Sequence, residues 1–547
     1  MKQTAPLIVE NLSFRYRDRT GAAIHDISFE AKAGEILLIA GASGCGKTTL
    51  IRSVNGLIPR SYKGEMSGRV LVFGEDTSAW KLSQISQKIG TVLQDPERQI
   101  LGTKVLNEVA FGLENLNVPR DEILERVDES LKFLKIFHLR ERETFTLSGG
   151  EKQKVALAGV LAMRPSILLL DEPLASLDPA SAQDTLDTIR FLADEGMTVL
   201  MVEHRVEDVL RINPERVMFM SEGEIRYLGN LSGLSKVVNY REVKLPAEQI
   251  VERAKQDPPP AQIRILPGAA GKGSGEEAPG ASRGEPLVRF EDVAFGYESD
   301  VEVLHGINLE IRRGDVIAVL GPNGAGKTTF VKHAIGLLKP KGGRVLVNGR
   351  DTKEASVAQI AGTLGYVFQS PSHMLFAPTV SEELAFGPRN LNHPKEQIEQ
   401  EVKEALRIVN LSDKEQDPPL ALSFGQQKRV SIAAILAMQS RILVMDEPTA
   451  GQDYRNYMNF MDAILQLPSF EAILFITHDV DLAVIYANRV LMINDGRLVA
   501  DGRPQEVLRD FDRLKANRLV PTSLLSLNLE RLNTTGRFMR AEALAHI

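Results

Sequence analysis

Residues 36–48 have the sequence Ile-Leu-Leu-Ile-Ala-Gly-Ala-Ser-Gly-Cys-Gly-Lys-Thr, in which an apolar run passes directly into a glycine-rich loop. From Gly41 onward the spacing is G-x-x-x-x-G-K-T, the pattern of a phosphate-binding loop between a strand and a helix. Glycines let backbone N–H groups turn inward around phosphates, and the N-terminus of the following helix adds a partial positive charge. The pattern predicts that Lys47 reaches the β- and γ-phosphates of a nucleotide and that Thr48 binds Mg²⁺.

The same pattern occurs a second time. Residues 316–328 again place an apolar run, Val-Ile-Ala-Val-Leu, before a loop with the sequence Gly-Pro-Asn-Gly-Ala-Gly-Lys-Thr. Lys47 and Lys327 lie 280 residues apart, and His204 and His478, later in the two segments, lie 274 residues apart. A repeat with so little drift indicates two copies of one domain that differ by small loop insertions.

Acidic and histidine side chains follow the other apolar runs of each copy. Short apolar runs that alternate with longer mixed segments are typical of a parallel sheet wrapped by helices. Ligands bind beyond the carboxyl ends of the strands in such sheets, so these side chains are expected at one rim. In each Asp-Glu pair, the Asp fits the Mg²⁺ side of a nucleotide site and the Glu is placed to polarise the attacking water. The groups are Asp171, Glu172 and His204 in the first copy and Asp446, Glu447 and His478 in the second.

The composition limits the class of protein. A chain of 547 residues is expected to form about two to four domains, and 43% hydrophobic with 25% charged residues is typical of globular proteins. The net charge of −7 argues against nucleic acid or an anionic membrane as the main partner. A single cysteine, Cys45, excludes an intramolecular disulfide and suits a reducing compartment. Because the chain shows neither a signal-peptide pattern nor an apolar run near the ~20 residues of a membrane span, we expect a cytoplasmic protein.

The repeat and the composition together predict four segments. The first ATPase domain is expected over residues 1–245 and the second over residues 285–510. Residues 246–284 are rich in Pro and Gly and cannot bury enough apolar surface to become ordered, so they are predicted to be a flexible linker. Residues 511–547 carry scattered leucines and are predicted to form a C-terminal extension.

Two further motifs resemble those of the ATP-binding-cassette (ABC) ATPases. Leu147-Ser-Gly-Gly-Glu151 and Leu422-Ser-Phe-Gly-Gln426 are similar to the L-S-G-G-Q signature of that family, and each ends 20 residues before the Asp of its Asp-Glu pair. The resemblance covers nearly the whole chain outside the linker and the extension. It implies an α/β fold of two tandem P-loop domains, each with a mainly parallel sheet core, helices and a helical subdomain. It also implies that the protein binds ATP with Mg²⁺ and hydrolyses it.

The resemblance implies roles for named side chains. Tyr16 and Tyr297 resemble the aromatic residue that stacks on adenine, and Gln94 and Gln369 resemble the glutamine that senses the γ-phosphate and Mg²⁺. The loops Ser176–Asp178 and Gly451–Asp453 resemble the loop that crosses to the other half, and the two histidines resemble the switch that contacts the γ-phosphate. The predicted catalytic residues are Glu172, His204, Glu447 and His478. The predicted metal ligands are Thr48, Gln94, Asp171, Thr328, Gln369 and Asp446. The predicted ATP-binding residues are Tyr16, Gly41, Ser43, Gly44, Cys45, Gly46, Lys47, Thr48, Thr49, Gln94, Ser148, Gly149, Gly150, Glu151 and Asp178 in the first copy, and Tyr297, Gly321, Asn323, Gly324, Ala325, Gly326, Lys327, Thr328, Thr329, Gln369, Ser423, Phe424, Gly425, Gln426 and Asp453 in the second.

In this family the signature of one half completes the ATP site of the other half. Site one is therefore expected to join Lys47, Glu172 and His204 to Ser423, Gly425 and Gln426. Site two is expected to join Lys327, Glu447 and His478 to Ser148, Gly149 and Gly150. Both sites keep a base and a histidine, so both are predicted to hydrolyse ATP. Phe424 stands where the family has a glycine, so either site one is slower or the ring points away from the phosphates.

Three processes compete as the one that this ATPase drives. Residues 94–99, 108–115, 383–387 and 450–453 resemble those of the energy-coupling-factor (ECF) importers for vitamins and transition-metal ions. This resemblance implies an integral membrane scaffold and a membrane substrate-binding subunit as partners, at the cytoplasmic face of the cell membrane, and no nucleic acid. A tandem translation factor acting on ribosomes is one alternative, which the Pro/Gly linker and the negative charge disfavour. A fused sugar-importer ATPase is the other, which the intact catalytic groups of both halves disfavour.

Overall fold

The computed structural model describes residues 5–17, 20–175, 177–258, 286–297, 301–449, 452–467 and 469–547. The chain divides into two compact units. The first comprises Met1–Gln249 with Asp453–Arg455, and the second comprises Ile250–Gln452 with Asn456–Ile547. Each unit has its own hydrophobic core.

The first unit contains ten strands and ten helices among its described residues. Its strands are β1 (Leu7–Tyr16), β2 (Ile24–Ala31), β3 (Ile36–Gly41), β4 (Gly64–Val72), β5 (Glu75–Asp76), β6 (Ile89–Val92), β7 (Ile167–Asp171), β8 (Thr198–Val202), β9 (Arg216–Ser221) and β10 (Glu224–Gly229). Its helices are α1 (Lys47–Val54), α2 (Leu57–Arg60), α3 (Leu82–Lys88), α4 (Pro96–Gln99), α5 (Val105–Asn115), α6 (Arg120–Phe133), α7 (Gly149–Ala162), α8 (Pro179–Asp194), α9 (Val206–Leu210) and α10 (Leu231–Val237). Helix α11 (Ala247–Ala254) follows at the boundary between the units.

The second unit repeats the order of the ten strands in the part of it that the structure describes. Its strands are β11 (Val288–Phe295), β12 (Leu304–Ile311), β13 (Val316–Leu320), β14 (Gly342–Val347), β15 (Arg350–Asp351), β16 (Leu364–Val367), β17 (Ile442–Asp446), β18 (Ala472–Ile476), β19 (Arg489–Asn494) and β20 (Arg497–Gly502). Its helices are α12 (Lys327–Ala334), α13 (Val357–Ala361), α14 (Val380–Asn390), α15 (Lys395–Ile408), α16 (Phe424–Ala437), α17 (Tyr454–Leu465), α18 (Val480–Tyr486), α19 (Pro504–Val507), α20 (Phe511–Ala516), α21 (Ser523–Thr535) and α22 (Ala541–Leu544).

A six-stranded sheet forms the centre of each unit. In the first unit the strand order is β10-β9-β3-β8-β7-β6, with parallel pairing throughout except for the antiparallel β9–β10 pair. The second unit has the equivalent order β20-β19-β13-β18-β17-β16, with the same pairing. Every residue of β3, β7 and β8 is buried, because helices cover both faces of a parallel sheet and leave no side of these strands to water.

Two other layers complete each unit. A four-stranded antiparallel sheet, β2-β1-β4-β5 in the first unit and β12-β11-β14-β15 in the second, packs into the same core as the larger sheet. Helices α5, α6 and α7 pack against one another, as do α14, α15 and α16. The predicted α/β fold with two tandem domains is confirmed, and the antiparallel sheet is a layer that the sequence patterns did not predict.

Two segments outside the repeats contain helices. Helix α11 lies within the stretch predicted to be a flexible linker, and Ala247, Ile250, Val251 and Ala254 of this helix are buried. Residues 259–285, which hold most of the Gly-rich part of that stretch, lie outside the described residues. The C-terminal extension contains α20, α21 and α22. No helix within the described ranges has the length and apolarity required to cross a bilayer.

Candidate active sites of the two units

Each glycine-rich loop connects a buried strand to a helix, β3 to α1 in the first unit and β13 to α12 in the second. Lys47 Nζ donates hydrogen bonds to the carbonyl oxygens of Gly41 and Ala42, at 2.8 and 2.9 Å. Lys327 makes the same pair of bonds to its own loop, both 2.8 Å long. The loop thus holds its ammonium group at the N-terminus of the helix, where it adds to the helix dipole in attracting phosphate. The outer loop residues Ser43, Gly44, Asn323 and Gly324 are exposed.

The last glycine of each loop has a left-handed backbone. Gly46 has a φ of +107° and Gly326 has a φ of +94°, and each is the N-cap of the helix that follows. A Cβ atom on Gly46 would lie 2.7 Å from both the carbonyl oxygen of Ala23 and the Cγ2 of Ile24. Both the backbone conformation and the packing therefore require glycine at this place in the loop.

A threonine hydroxyl and an aspartate carboxylate meet beside each loop. Thr328 Oγ1 donates to Asp446 Oδ2 at 2.9 Å, and Thr48 makes the corresponding hydrogen bond to Asp171. Burial, followed by the negative charge of Glu172, raises the pKa of Asp171. Burial likewise raises the pKa of Asp446, which accepts a second hydrogen bond from the Tyr366 hydroxyl at 2.8 Å.

These oxygens fit the ligand set of Mg²⁺ at a nucleotide. Among the described residues the buried Asp171 Oδ1 has no hydrogen-bond partner, so a cation at this place would satisfy it. The same part of the chain holds no group of three or more His, Cys, Asp or Glu side chains that could bind a metal alone. Mg²⁺ does not need one, because it is usually held by one or two protein oxygens together with phosphate and water. Thr48 with Asp171, and Thr328 with Asp446, are the residues that would hold the ion.

In the first unit three predicted residues from three different strand ends come together. His204 Nε2, after β8, lies 2.9 Å from Glu172 Oε1, after β7. Gln94 Nε2, after β6, donates to Glu172 Oε2 at 2.6 Å. The carboxylate of Glu172 is thus held from both sides at the rim where the loop binds phosphate. A carboxylate in this position can take a proton from a water that attacks the γ-phosphate.

The second unit brings together two of the three equivalent residues. His478 Nδ1 lies 3.0 Å from Glu447 Oε1, whereas the buried Glu447 Oε2 has no hydrogen-bond partner among the described residues. Gln369 is exposed. Burial by itself would raise the pKa of Glu447, but His478 and Lys327 outweigh it and lower the pKa. The lowered pKa favours the ionised carboxylate, which is the form that the predicted general base requires.

Both predicted bases have a left-handed backbone, which the sequence analysis missed. The φ angle is +51° at Glu172 and +45° at Glu447, a conformation that is uncommon for residues other than glycine and costs free energy. In each unit the backbone N–H of the Glu donates to the next strand of the sheet, to Val202 or Ile476 at 2.9 Å. The chain thus turns sharply at the end of the strand and directs the carboxylate toward the histidine. No residue type in the Asp-Glu-Pro motif signals this conformation.

Glu203 is a buried residue directly after β8 to which sequence reasoning gave no role. Its carboxylate accepts hydrogen bonds from the backbone N–H groups of Leu174 (3.2 Å), His204 (2.8 Å) and Arg205 (3.1 Å). Burial and then the negative charge of Glu172 raise the pKa of Glu203. The carboxylate thereby ties the segment after Glu172 to the segment that carries His204. The second unit has Thr477 at this position, so the supports of the two histidines differ.

The predicted adenine-stacking tyrosines occupy equivalent positions. Tyr16 ends β1 and Tyr297 follows β11 by two residues. Each hydroxyl lies 3.2 Å from the Oγ1 of a threonine in the first turn of the helix after the loop, Thr49 or Thr329. Each ring also makes an edge-to-face contact with a core phenylalanine, at centroid distances of 4.8 Å and 5.1 Å. These contacts place an aromatic ring beside each glycine-rich loop. Stacking on adenine remains a prediction.

The signature motifs are helix-capping structures. Ser148 is the N-cap of α7, and its backbone N–H and hydroxyl both donate to the Glu151 carboxylate, at 2.8 and 2.9 Å. Ser423 caps α16 in the same way with Gln426, at 3.0 Å for both bonds. The S-x-x-E and S-x-x-Q spacing of a capping box could have predicted these helix starts. Gly149, Gly150 and Gly425 lie in the first helical turns, and the side chain of Phe424 is outside the described part of the chain.

The aspartates of the predicted crossing loops stand directly before helices. Asp178 is the N-cap of α8, where its Oδ1 accepts from the backbone N–H of Ser181 at 2.9 Å. Asp453 is buried and immediately precedes α17. Ser176 and Gly451, the first residues of the two loops, lie outside the described residues. The Sγ of Cys45 is buried in its loop, 3.9 Å from Lys47 Nζ, and burial raises the thiol pKa, as expected for a small packing residue.

The fold and these sites define a tandem P-loop ATPase with a signature helix in each unit. The sequence matches the family described as ABC transporter over residues 24–175 and 304–450, and the chain belongs to this family. It is 37% identical over 552 residues to a protein of Caldanaerobacter subterraneus subsp. tengcongensis, covering 97% of this chain and 96% of the relative. It is 36% identical over 550 residues to a protein of Methanosarcina mazei, covering 95% and 93%. Both relatives carry the name "Putative ABC transporter ATP-binding protein".

A solved structure also resembles part of the chain. It is that of cbiO1 from Clostridium perfringens, described as part of the ABC transporter complex cbiONQ. The match has 30% sequence identity and a TM-score of 0.39, and it covers 48% of this chain and 99% of that one. Family membership over both repeats confirms the prediction that the protein is an ATP-hydrolysing enzyme with two ATP-binding domains.

Proposed function

We propose that the protein is the energy-coupling subunit of an ECF-type importer, which uses ATP with Mg²⁺ to drive uptake of a vitamin or a transition-metal ion. Its partners in this proposal are an integral membrane scaffold and a membrane substrate-binding subunit, at the cytoplasmic face of the cell membrane. The observation that carries the proposal is a pair of exposed apolar patches at equivalent positions of the two units. The first residue of each patch lies seven residues after the predicted γ-phosphate sensor, Gln94 or Gln369.

The first apolar patch consists of Leu101, Phe111 and Phe145, whose exposed fractions lie between 45% and 73%. Glu108, one helical turn before Phe111, is buried and accepts hydrogen bonds from the backbone N–H groups of Leu101 (2.7 Å) and Gly102 (2.6 Å). The Thr144 hydroxyl, next to Phe145, donates to the carbonyl oxygen of Gly102 at 2.7 Å. These bonds join the three segments that carry the exposed apolar side chains, and the first of these side chains lies seven residues after Gln94.

The second apolar patch consists of Phe376, Phe386 and Leu420, each 275 residues after its counterpart in the first. Their exposed fractions lie between 49% and 62%. Glu383 repeats the support, because it accepts from the backbone N–H groups of Phe376 and Ala377, both at 2.8 Å. The rings of Phe376 and Phe386 meet edge to face with centroids 4.8 Å apart.

Burial of a carboxylate costs free energy. Its use to order a loop with exposed apolar side chains therefore suggests that the loop has a binding function. Large exposed apolar residues in a cluster mark protein or membrane interaction sites, and aromatic side chains are enriched at the centres of interfaces. The repetition of the patch favours a partner that presents two similar apolar segments, one to each unit. Two helices of an integral membrane scaffold have this chemistry, and a ribosomal surface, which is dominated by phosphate, does not.

The mechanism that we propose links these patches to the ATP sites. ATP binding closes the two halves, so that site one joins Lys47, Glu172 and His204 to the signature of the second unit, and site two is completed by the first unit's signature. Gln94 and Gln369 report the nucleotide to the segments that end in the patches. The patches then move, and the membrane scaffold moves with them. Hydrolysis and phosphate release reopen the halves.

The test is a pull-down of the tagged chain from detergent-solubilised host membranes, with mass spectrometry of the proteins retained. A patch variant combines Leu101→Ser, Phe111→Ser, Phe376→Ser and Phe386→Ser. The matched control combines Phe137→Ser with Phe191→Ser, because these two aromatic side chains of the first unit are also exposed but lie outside the patches. We expect a transmembrane scaffold and a small membrane protein with the wild type and the control, and neither with the patch variant.

ATPase activity of the purified chains separates loss of docking from loss of folding. The patch variant is expected to hydrolyse ATP within about twofold of the wild type, because its substitutions are on the surface. Retention of the membrane scaffold by an active patch variant would contradict the role of the patches. Recovery of ribosomal proteins without any membrane scaffold would overturn the importer proposal and favour the translation-factor alternative.

A further inference from the structure

Lys428 is a buried lysine that the predicted ATP chemistry does not use. It lies on α16, two residues after the signature motif, and only 1% of the residue is exposed. Its Nζ donates to the carbonyl oxygen of Pro448 at 2.6 Å and to that of Glu447 at 3.2 Å. Burial lowers the pKa of Lys428 to about 7, against the opposing effect of the Glu447 and Asp446 carboxylates. Burial of a lysine costs free energy, which suggests that its hydrogen bonds have a function.

The carbonyls that Lys428 binds belong to the turn that directs the second base. Glu447 has the left-handed φ of +45°, and Pro448 follows it directly. Gln452 Nε2 also donates to the Pro448 carbonyl, at 2.9 Å. The turn is therefore held by two side chains. Lys428 of α16 binds the carbonyls of Glu447 and Pro448, and Gln452, four residues after Pro448, binds the Pro448 carbonyl. A backbone conformation of this kind persists only when the surrounding contacts enforce it.

The first unit supports its base differently. The position equivalent to Lys428 is occupied by Gln153, which is buried and has a shorter, uncharged side chain. Instead, the Glu203 carboxylate binds the backbone N–H of Leu174, two residues after Glu172. The second unit has Thr477 in place of that carboxylate. Each unit thus uses one buried ionisable side chain on the loop after its base, a carboxylate in the first unit and an amine in the second.

We propose that Lys428 is the positioning residue of the second catalytic site. By holding the Glu447 and Pro448 carbonyls to α16, it fixes the turn that keeps the Glu447 carboxylate against His478. It acts through Glu447 and does not touch the nucleotide. The proposal rests on the assignment of Glu447 as a base that hydrolyses ATP. Misplacement of a base lowers the rate of the chemical step, whereas ATP affinity depends mainly on the glycine-rich loop.

The experiment isolates the second site with Glu172→Gln, which removes the first base. Hydrolysis of radiolabelled ATP is followed by rapid quench with the full-length chain in excess over ATP, and ATP affinity is measured separately by equilibrium binding with Mg²⁺ present. Lys428→Met removes the donor while keeping the length of the side chain, and Lys428→Gln installs the residue type of the first unit. Arg429→Met is the matched control, because Arg429 is a cation on the same helix whose guanidinium binds the carbonyl oxygen of Val409.

We expect Lys428→Met to slow hydrolysis by about tenfold or more, Lys428→Gln to slow it less, and Arg429→Met to change it by less than about twofold. ATP affinity is expected to stay within about twofold in all three chains. A rate for Lys428→Met within twofold of its parent would overturn the proposal, as would an equal loss in Arg429→Met or a loss of affinity as large as the loss of rate. Thermal melting shows whether each variant is folded. If Lys428→Met does not fold, the rate and affinity of Lys428→Gln are judged by the same criteria.

Failure of the proposal and failure of its premise give different results. If the Glu172→Gln parent hydrolyses ATP and addition of Glu447→Gln stops it, the premise holds and the Lys428 variants decide the proposal. If the parent hydrolyses no more ATP than the chain with both substitutions, Glu447 is not an independent base, and the proposed role of Lys428 is rejected together with that assignment.

Discussion

At the scale of single residues, Glu172 and Glu447, which follow the Asp of each Asp-Glu pair, are the predicted catalytic bases. The Glu172 carboxylate lies 2.9 Å from the His204 ring, and the Glu447 carboxylate lies 3.0 Å from the His478 ring. Changing both to glutamine keeps the shape but removes the proton acceptor. Glu172→Gln with Glu447→Gln is therefore expected to lower kcat by about 10²–10⁴ while ATP binding persists.

Measurement of steady-state phosphate release together with retained ATP checks this prediction. Glu195→Gln is the control, because Glu195 is exposed at the end of α8 and belongs to neither Asp-Glu pair. It should behave as the wild type. Ordinary turnover by the doubly substituted chain would mean that neither carboxylate is the base.

His333 provides a prediction about pH. It is fully buried on α12, its Nδ1 lies 2.8 Å from the carbonyl oxygen of Thr329, and its Nε2 has no hydrogen-bond partner among the described residues. Burial lowers the pKa of His333 below its usual value. In the unfolded chain this histidine takes up a proton near pH 6.5, whereas in the folded chain it stays neutral to lower pH. The free energy of unfolding therefore falls as the pH drops below about 6.5.

His333→Ser removes this group and installs the residue type of the first unit, where Ser53 donates to the carbonyl oxygen of Thr49 at 2.9 Å. The melting temperature of the variant should be lower near pH 7.5, because the smaller side chain leaves a cavity. Between about pH 7 and 5 it should decline less steeply than that of the wild type. Parallel declines would show that another group causes the loss of stability in acid.

At the scale of helices and strands, the C-terminal extension is fastened to the second unit by an ionic cluster. Arg540, just before α22, donates to both carboxylate oxygens of Asp462 on α17 and to the hydroxyl of Tyr486 on α18. Asn528 of α21 is fully buried and bonds the backbone of Met539 through both its amide nitrogen and its oxygen. The extension is therefore a packed part of this unit, and it contacts the helices that follow the predicted crossing loop and the switch histidine.

Arg540→Ala is expected to lower the free energy of unfolding of the second unit by about 1–3 kcal/mol, because it leaves the partly buried Asp462 without its cation. Differential scanning calorimetry should show this as a loss of a few degrees in one transition. Arg537→Ala, three residues earlier and exposed, is the matched control and should leave the transition in place. An equal loss in both variants would deny the cluster a specific role.

The elements that could be predicted from sequence are those whose pattern depends on short-range chemistry. The strands that precede Gly41 and Asp171 are continuous apolar runs, because both faces of a parallel sheet are covered, and the glycine-rich loops repeat at a fixed offset. Helix α11 was not predicted, because the stretch was judged by its overall Pro- and Gly-rich composition. The short amphipathic pattern of residues 247–254 at its start was overlooked. The left-handed turns at Glu172 and Glu447 were not predictable, because the hydrogen bonds that enforce them come from strands far away in the sequence.

At the scale of the whole molecule, two units with the same fold carry sites with different supports. Gln94 donates to Glu172 in the first unit, whereas in the second unit the Glu447 Oε2 has no hydrogen-bond partner among the described residues. Glu203 and Lys428 are each present in one unit only, as ionisable residues behind the base. In the proposed pairing, fusion in one chain lets each unit diverge without forming mixed pairs. The arrangement fits a machine whose two ATP sites perform unequal steps.

The proposed head-to-tail pairing of the units can be tested by combining substitutions in one chain. If each signature completes the ATP site of the opposite unit, Glu172→Gln and Ser423→Arg damage the same site and leave the other one working. Glu172→Gln and Ser148→Arg then damage both sites. The arginine is chosen because a large cation at the N-cap of α7 or α16 removes the capping box and blocks close approach to phosphate. Steady-state ATPase assays on the two chains should therefore give a residual rate near that of Glu172→Gln alone for the first combination and a rate lower by about tenfold or more for the second. The opposite ranking would mean that each signature serves the ATP site of its own unit.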